Sequence, residues 1–190
     1  MIGRSDRNAR LTGTTAATIF VLLALEGVTI LFIRPLLSVH EFIGMVLVPP
    51  VALKLGTTGW RFARYYLRDA DFVAAGPPAL LLRMTAPVLV LATVGVFGTG
   101  VAMLVLGPSS HGLVGLHKAS FIVWFAAMTV HVLGHIRRVP RLARLSARPQ
   151  RLLVVGAVVA GIVVAGATVP LIQPWTHWAA QQHHGEHDGG

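Results

Sequence analysis

A chain of 190 residues, 54% hydrophobic and 12% charged, with a mean hydropathy of +0.70, has too little polar surface to cover a water-soluble domain. The absence of cysteine excludes disulfides, thiolate-held iron-sulfur clusters and covalent c-type haem attachment. The net charge of +9 does not indicate a nucleic-acid partner, because the basic residues are placed at the ends of apolar runs.

Five apolar runs, near 12–34, 39–59, 85–107, 113–136 and 152–172, each approach or exceed the about 20 residues needed to cross a hydrocarbon core of roughly 30 Å. They are too long and too uniformly apolar for barrel strands, and backbone amides in lipid must be satisfied within the segment. The predicted fold is all-α, a polytopic transmembrane bundle spanning 12–172.

Residues 1–11 form an N-terminal segment with Arg4, Arg7 and Arg10. The first run is too long for a signal-peptide core and ends in Arg34-Pro35 rather than at a small-residue cleavage site. So short a connection makes spans one and two antiparallel neighbours. Span two contains Pro49-Pro50, where a kink is expected. It continues into Trp60, Tyr65 and Tyr66, interleaved with Arg61, Arg64 and Arg68, an interfacial aromatic belt. Ala74 to Pro78 punctuates the next loop. Gly95, Gly98 and Gly100 in span three, with Gly156, Gly161 and Gly166 in span five, mark close helix packing. The tail over 173–190 holds His177, His183, His184 and His187; it reads as flexible and solvated, with weak zinc or copper binding the lesser alternative.

Thirteen of the sixteen Lys and Arg residues lie in three segments: before span one, after span two (with Arg83), and from Arg137 to Arg151 after span four. By the positive-inside rule the N-terminus is cytoplasmic and the C-terminus outside, in a multi-pass protein of the cell membrane.

An ionisable side chain inside a span costs several kcal/mol on insertion scales, so each is a functional candidate. They are Glu26 in span one, His40 and Lys54 in span two, and His117, Lys118, His131 and His135 in span four. His40 and Lys54 are 14 residues apart, as are His117 and His131; on a helix such a pair shares a face within about 40° and stands roughly 21 Å apart along the axis. Phe121, Trp124 and Met128 fill the span-four face between the two levels. A b-type haem in a helical bundle requires one imidazole from each of two facing helices at one depth, with apolar walls. His40 and His117 meet that requirement, Gly44 leaves room for the macrocycle, and Phe121 and Trp124 close the pocket. The alternative is that both are interfacial histidines that bind nothing.

At the other level the pattern is incomplete. A second haem on His131 with Lys54 or with His131 alone, a vacant site with Lys54 snorkelling to the headgroups, and a divalent metal on His131 and His135 all stand as readings, the vacant site being preferred. Glu26 lies near the depth of the first site, either as acceptor for the second nitrogen of a ligating imidazole or as a protonated acid bonded to a neighbouring helix. Lys118 and Arg34 are placed to pair with haem propionates or to snorkel.

Val39-His40-Glu41-Phe42-Ile43-Gly44, Leu116-His117-Lys118-Ala119-Ser120 and Val130-His131-Val132-Leu133-Gly134-His135 give the chain a likeness over spans one to four. It resembles small bacterial, notably actinobacterial, cytochrome b-like integral membrane proteins related to the haem-carrying membrane anchors of formate dehydrogenases and hydrogenases. The resemblance implies two histidines on each of two helices, two haems and transmembrane electron transfer. His40, His117 and His131 match that pattern and Lys54 departs from it, leaving one haem b expected and a second in question. The implied partners are the bilayer and a redox protein or quinone, with no nucleic acid and no stand-alone enzymatic activity. The rival function is a haem-free membrane scaffold or transport-associated subunit.

Overall fold

The computed structural model describes residues 3–76, 80–135 and 147–187. They form α1 (Arg4–Leu31), α2 (Ile33–Tyr66), a short α3 (Ala70–Ala74), α4 (Leu80–Leu106), α5 (His111–His135) and α6 (Arg148–His187), with no strand among the described residues. All but α3 are long and apolar enough to cross a membrane, as the hydropathy pattern predicts. The 34 residues of α2 extend about 50 Å, more than a hydrocarbon core requires, and leave its final turns to the aromatic belt. Leu31, Leu91 and Val163 remain 79%, 73% and 66% exposed, an outer face suited to lipid.

The turn between α1 and α2 is tighter than predicted. Only Phe32 separates the two helices, and helical dihedrals break once more at Leu36 (φ −109°, ψ 18°), just beyond Arg34 and Pro35. At Pro49 and Pro50, by contrast, the expected kink leaves no break in the helical dihedrals. Pro50 lacks the amide that would bond the Val46 carbonyl four residues back. That carbonyl instead abuts Gly161 of α6, where an added Cβ would overlap it. A missing donor on one helix and a missing side chain on the other thus bring α2 and α6 into backbone contact, with fully buried Ala165 one turn further along α6.

α2 packs against α1 and α6, and α4 packs against α5. The α4–α5 hairpin joins the three-helix unit through narrower contacts of α4 with α2 and α6, while α5 has no extended packing on α1, α2 or α6. A space is left between α5 and the rest of the bundle. Met45, Val46, Leu104, Ala165, Ile172 and Trp175 form the buried apolar cluster beside it.

Two helices run beyond the apolar spans. The expected N-terminal segment 1–11 is helical from Arg4. The tail expected to be flexible from 173 continues α6 as far as His187. The physical reason is on α6 itself: Trp175 is buried and its Nε1 donates to the Met103 carbonyl at 3.2 Å, and Trp178 meets its ring edge-on at 5.8 Å. Residues 188–190, Pro77-Pro78 and the arginines at 137, 138, 141 and 144 lie outside the described residues.

The arginine-rich end of the first hairpin is clipped by one carboxylate. Asp69 caps α3 by accepting from the Asp71 amide; it also pairs with Arg4 at 3.0 Å and with Arg64. The Arg64 guanidinium in turn lies over the Trp60 ring, 5.3 Å from its centre.

Candidate functional site

The space between α5 and the three-helix unit is a cavity of about 680 Å³. His40, Gly44, His117, Phe121, Trp124 and Glu26 all line it, so the residues singled out for the first haem level converge on one chamber. α1 contributes Glu26, α2 contributes His40 and Gly44, and α5 contributes the rest.

The rings of His40 and His117 face each other across helices that do not pack together. Their centres are 6.5 Å apart and their planes nearly perpendicular, at 82°. Two imidazoles sharing one metal ion at about 2.0 Å from each nitrogen stand with ring centres roughly 6 to 6.5 Å apart. The observed separation is compatible with a pair of ligands on one ion and equally with an edge-to-face ring contact.

The hydrogen bonds assign the tautomer on each ring. His117 Nδ1 lies 3.1 Å from the Val96 carbonyl and 3.0 Å from Thr99 Oγ1. A carbonyl only accepts, and the Thr99 hydroxyl donates to the Gly95 carbonyl at 2.6 Å, so Nδ1 is the donor to both and Nε2 keeps its lone pair. His40 Nδ1 lies 2.9 Å from Glu26 Oε1 and 3.2 Å from Thr29 Oγ1. The Thr29 hydroxyl donates to the Glu26 carbonyl at 2.7 Å, so His40 too donates through Nδ1, with Glu26 Oε1 as acceptor. Both imidazoles thus present the nitrogen a metal can take.

A glycine of a neighbouring helix borders the His117 ring. A Cβ at Gly100 of α4 would stand 3.4 Å from His117 Cε1. A Cβ at Gly44 would meet Glu26 Oε1 at 3.7 Å, an ordinary contact, so Gly44 lies beside the carboxylate as well as lining the chamber. Below the histidines, Phe121 and Trp124 stack with centres 6.2 Å apart. The Trp124 Nε1 is tied to Thr93 Oγ1 of α4 at 3.1 Å, which satisfies its polar edge and leaves an apolar wall. Trp175 and Trp178 line the chamber from α6.

The second level does not assemble. Lys54 Nζ donates to the Thr12 carbonyl of α1 at 3.3 Å. Its ammonium is held by the first turns of the neighbouring helix, and it does not line the chamber. His131 does not line it either, and the side chains of His135 and of His183, His184 and His187 lie outside the described residues. Among the described residues no three His, Cys, Asp or Glu side chains converge as a protein-only metal cage requires.

Sequence reasoning missed the Val96 carbonyl, Thr99 and Gly100 on α4, Thr29 on α1, and the two tryptophans of α6. The small residues of span three had been read only as packing. Thr29, one turn from Glu26, was a usable signal; a backbone carbonyl acceptor has none. No family model, curated protein or solved structure matches the chain.

Proposed function

We propose that this multi-pass protein resides in the cell membrane, binds one b-type haem between His40 and His117, and serves as an electron carrier or subunit rather than as an enzyme on its own. The observation that carries the reading is the pair of imidazoles from α2 and α5, 6.5 Å apart at one chamber, each with Nδ1 engaged as a donor and Nε2 left for a metal. The chamber's volume of about 680 Å³ falls within the roughly 300–1,000 Å³ of cofactor sites. Its lining is apolar apart from a few side chains, Glu26, His40, Glu41, His117 and Lys118 chief among them.

Bound there, the haem supplies a one-electron couple inside the bilayer. The chain's residues do the rest: His40 and His117 would hold the iron, and Val96 and Thr99 fix the His117 ring. Phe121, Trp124 and Trp175 exclude water from the apolar faces. Lys118 offers a cation for a propionate at the chamber's polar end. The N-terminus lies in the cytoplasm and the C-terminus outside, following the arginine asymmetry, and the electron partner is a redox protein or a quinone. With Lys54 engaged on α1, we assign one haem per chain.

Purification after expression with haem supplied, followed by a dithionite-reduced minus oxidised spectrum and a haem assay per chain, tests this reading. The expected result is a low-spin b-type spectrum at one haem per chain. Absence of haem absorbance would leave a haem-free membrane scaffold, and two haems per chain would contradict the single site.

A further inference from the structure

The two histidines are held by unlike partners, which bears on how the site is tuned. His117 donates to a neutral carbonyl and a hydroxyl. His40 donates to a carboxylate, Glu26 Oε1, at 2.9 Å. Glu26 is buried, 8% exposed, and among the described residues it meets the neutral His40 ring, with no Lys or Arg within salt-bridge distance. Thr29 reaches both members: its hydroxyl donates to the Glu26 carbonyl at 2.7 Å and lies 3.3 Å from Glu26 Oε2 and 3.2 Å from His40 Nδ1. The group is thus built from α1 and α2 together, one helical turn of α1 supplying both the carboxylate and the hydroxyl that steadies it.

We infer that Glu26 is a positioning residue that fixes His40 through its Nδ1–H and, by its uncompensated charge, sets the reduction potential of the haem low; this rests on the haem reading above. The physics has two parts. A carboxylate hydrogen-bonded to a ligating imidazole raises the basicity of the ligand nitrogen and locks the ring's tautomer and orientation. A fixed negative charge in a low-dielectric setting favours the more positive ferric form over the ferrous form, and among the described residues no Lys or Arg stands within salt-bridge distance to offset it. His117, on neutral acceptors, contributes orientation without that bias. The asymmetry makes α1, which supplies neither ligand, the helix that determines the potential.

A role in packing alone makes a different forecast. Glutamine has the shape of glutamate, and its amide oxygen can accept from His40 Nδ1–H, so Glu26→Gln keeps the cross-link between α1 and α2 and removes only the charge. The measurement is a redox titration of the purified haem-loaded protein followed at the α-band, with low-temperature electron paramagnetic resonance of the oxidised form. Glu26→Gln is expected to retain haem, to shift the midpoint potential upward and to move the low-spin g-values, whereas Glu26→Asp restores both toward wild type. Should Glu26→Gln release haem, Glu26→Asp alone retaining haem with a near-native potential supports the inference. An unchanged potential and spectrum in haem-loaded Glu26→Gln would overturn it while leaving the haem reading intact. Loss of haem from both variants in chains that still fold would also overturn it, by making Glu26 a part of the pocket's packing. A wild-type protein without haem would overturn the inference together with the reading on which it rests.

Discussion

His117 depends on α4 for everything except its own backbone: the Val96 carbonyl and Thr99 hydroxyl orient it, and the missing side chain of Gly100 gives it space. Because a Cβ at Gly100 already reaches 3.4 Å from the ring, Gly100→Val, with two further methyl groups, is expected to push the imidazole out of line. Haem affinity should fall by about tenfold or more, in keeping with the effect of losing a ligand's supporting contacts; titration of the apoprotein with haem measures it. A variant that binds as tightly as wild type would show that the ring does not rely on this space. At this scale the sequence shows the two histidines proposed as ligands but not their support. Histidines 14 residues from a second ionisable group are visible in a string of letters. That Glu26 meets His40, and that Val96 offers a carbonyl to His117, depends on helix rotation and spacing, which no local pattern encodes.

The elements themselves were largely legible, since the length and hydropathy of each run determine a membrane helix. The exceptions lie where prolines and aromatic residues act through neighbours. Pro49 and Pro50 suggested a kink by their chemistry, yet the helix keeps its dihedrals and the freed Val46 carbonyl is accommodated by Gly161 on α6. The end of the apolar run near 172 and the histidine-rich composition suggest the end of a span, yet α6 continues past it, with the Trp175 indole on the Met103 carbonyl. The α2–α6 contact makes a direct forecast: Gly161→Val forces a side chain against a backbone carbonyl that cannot retreat, and is expected to destabilise the fold by about 1–3 kcal/mol. Thermal unfolding in detergent checks it. Gly156→Val, where an added Cβ would meet nothing within 4 Å, should leave the midpoint near wild type, and equal effects of the two would remove the special role assigned to Gly161.

Across the whole molecule, the bundle is a three-helix unit of α1, α2 and α6 with an α4–α5 hairpin set against it, and the chamber is the space between them. That division was not readable from the chain, because hydropathy counts spans without saying which of them pack. Orientation in the membrane, conversely, is carried by charge alone. Arg4, Arg7 and Arg10 in the first turns of α1 and Arg61, Arg64 and Arg68 at the far end of the first hairpin are the basis on which we propose that those ends face the cytoplasm. A reporter active only outside the cytoplasm should therefore work when fused after Gly190 and fail when fused after Arg148, and the opposite pattern would invert the bundle.

The central claim is that α2 and α5 each give one imidazole to a single iron. Spectra of four single variants, expressed with haem supplied, test it most directly. His40→Ala and His117→Ala should each abolish the low-spin α-band and Soret changes on reduction, while His131→Ala and Lys54→Met leave both the spectrum and one haem per chain. Retention of a native low-spin spectrum by His40→Ala or His117→Ala, or its loss in His131→Ala, would contradict the account.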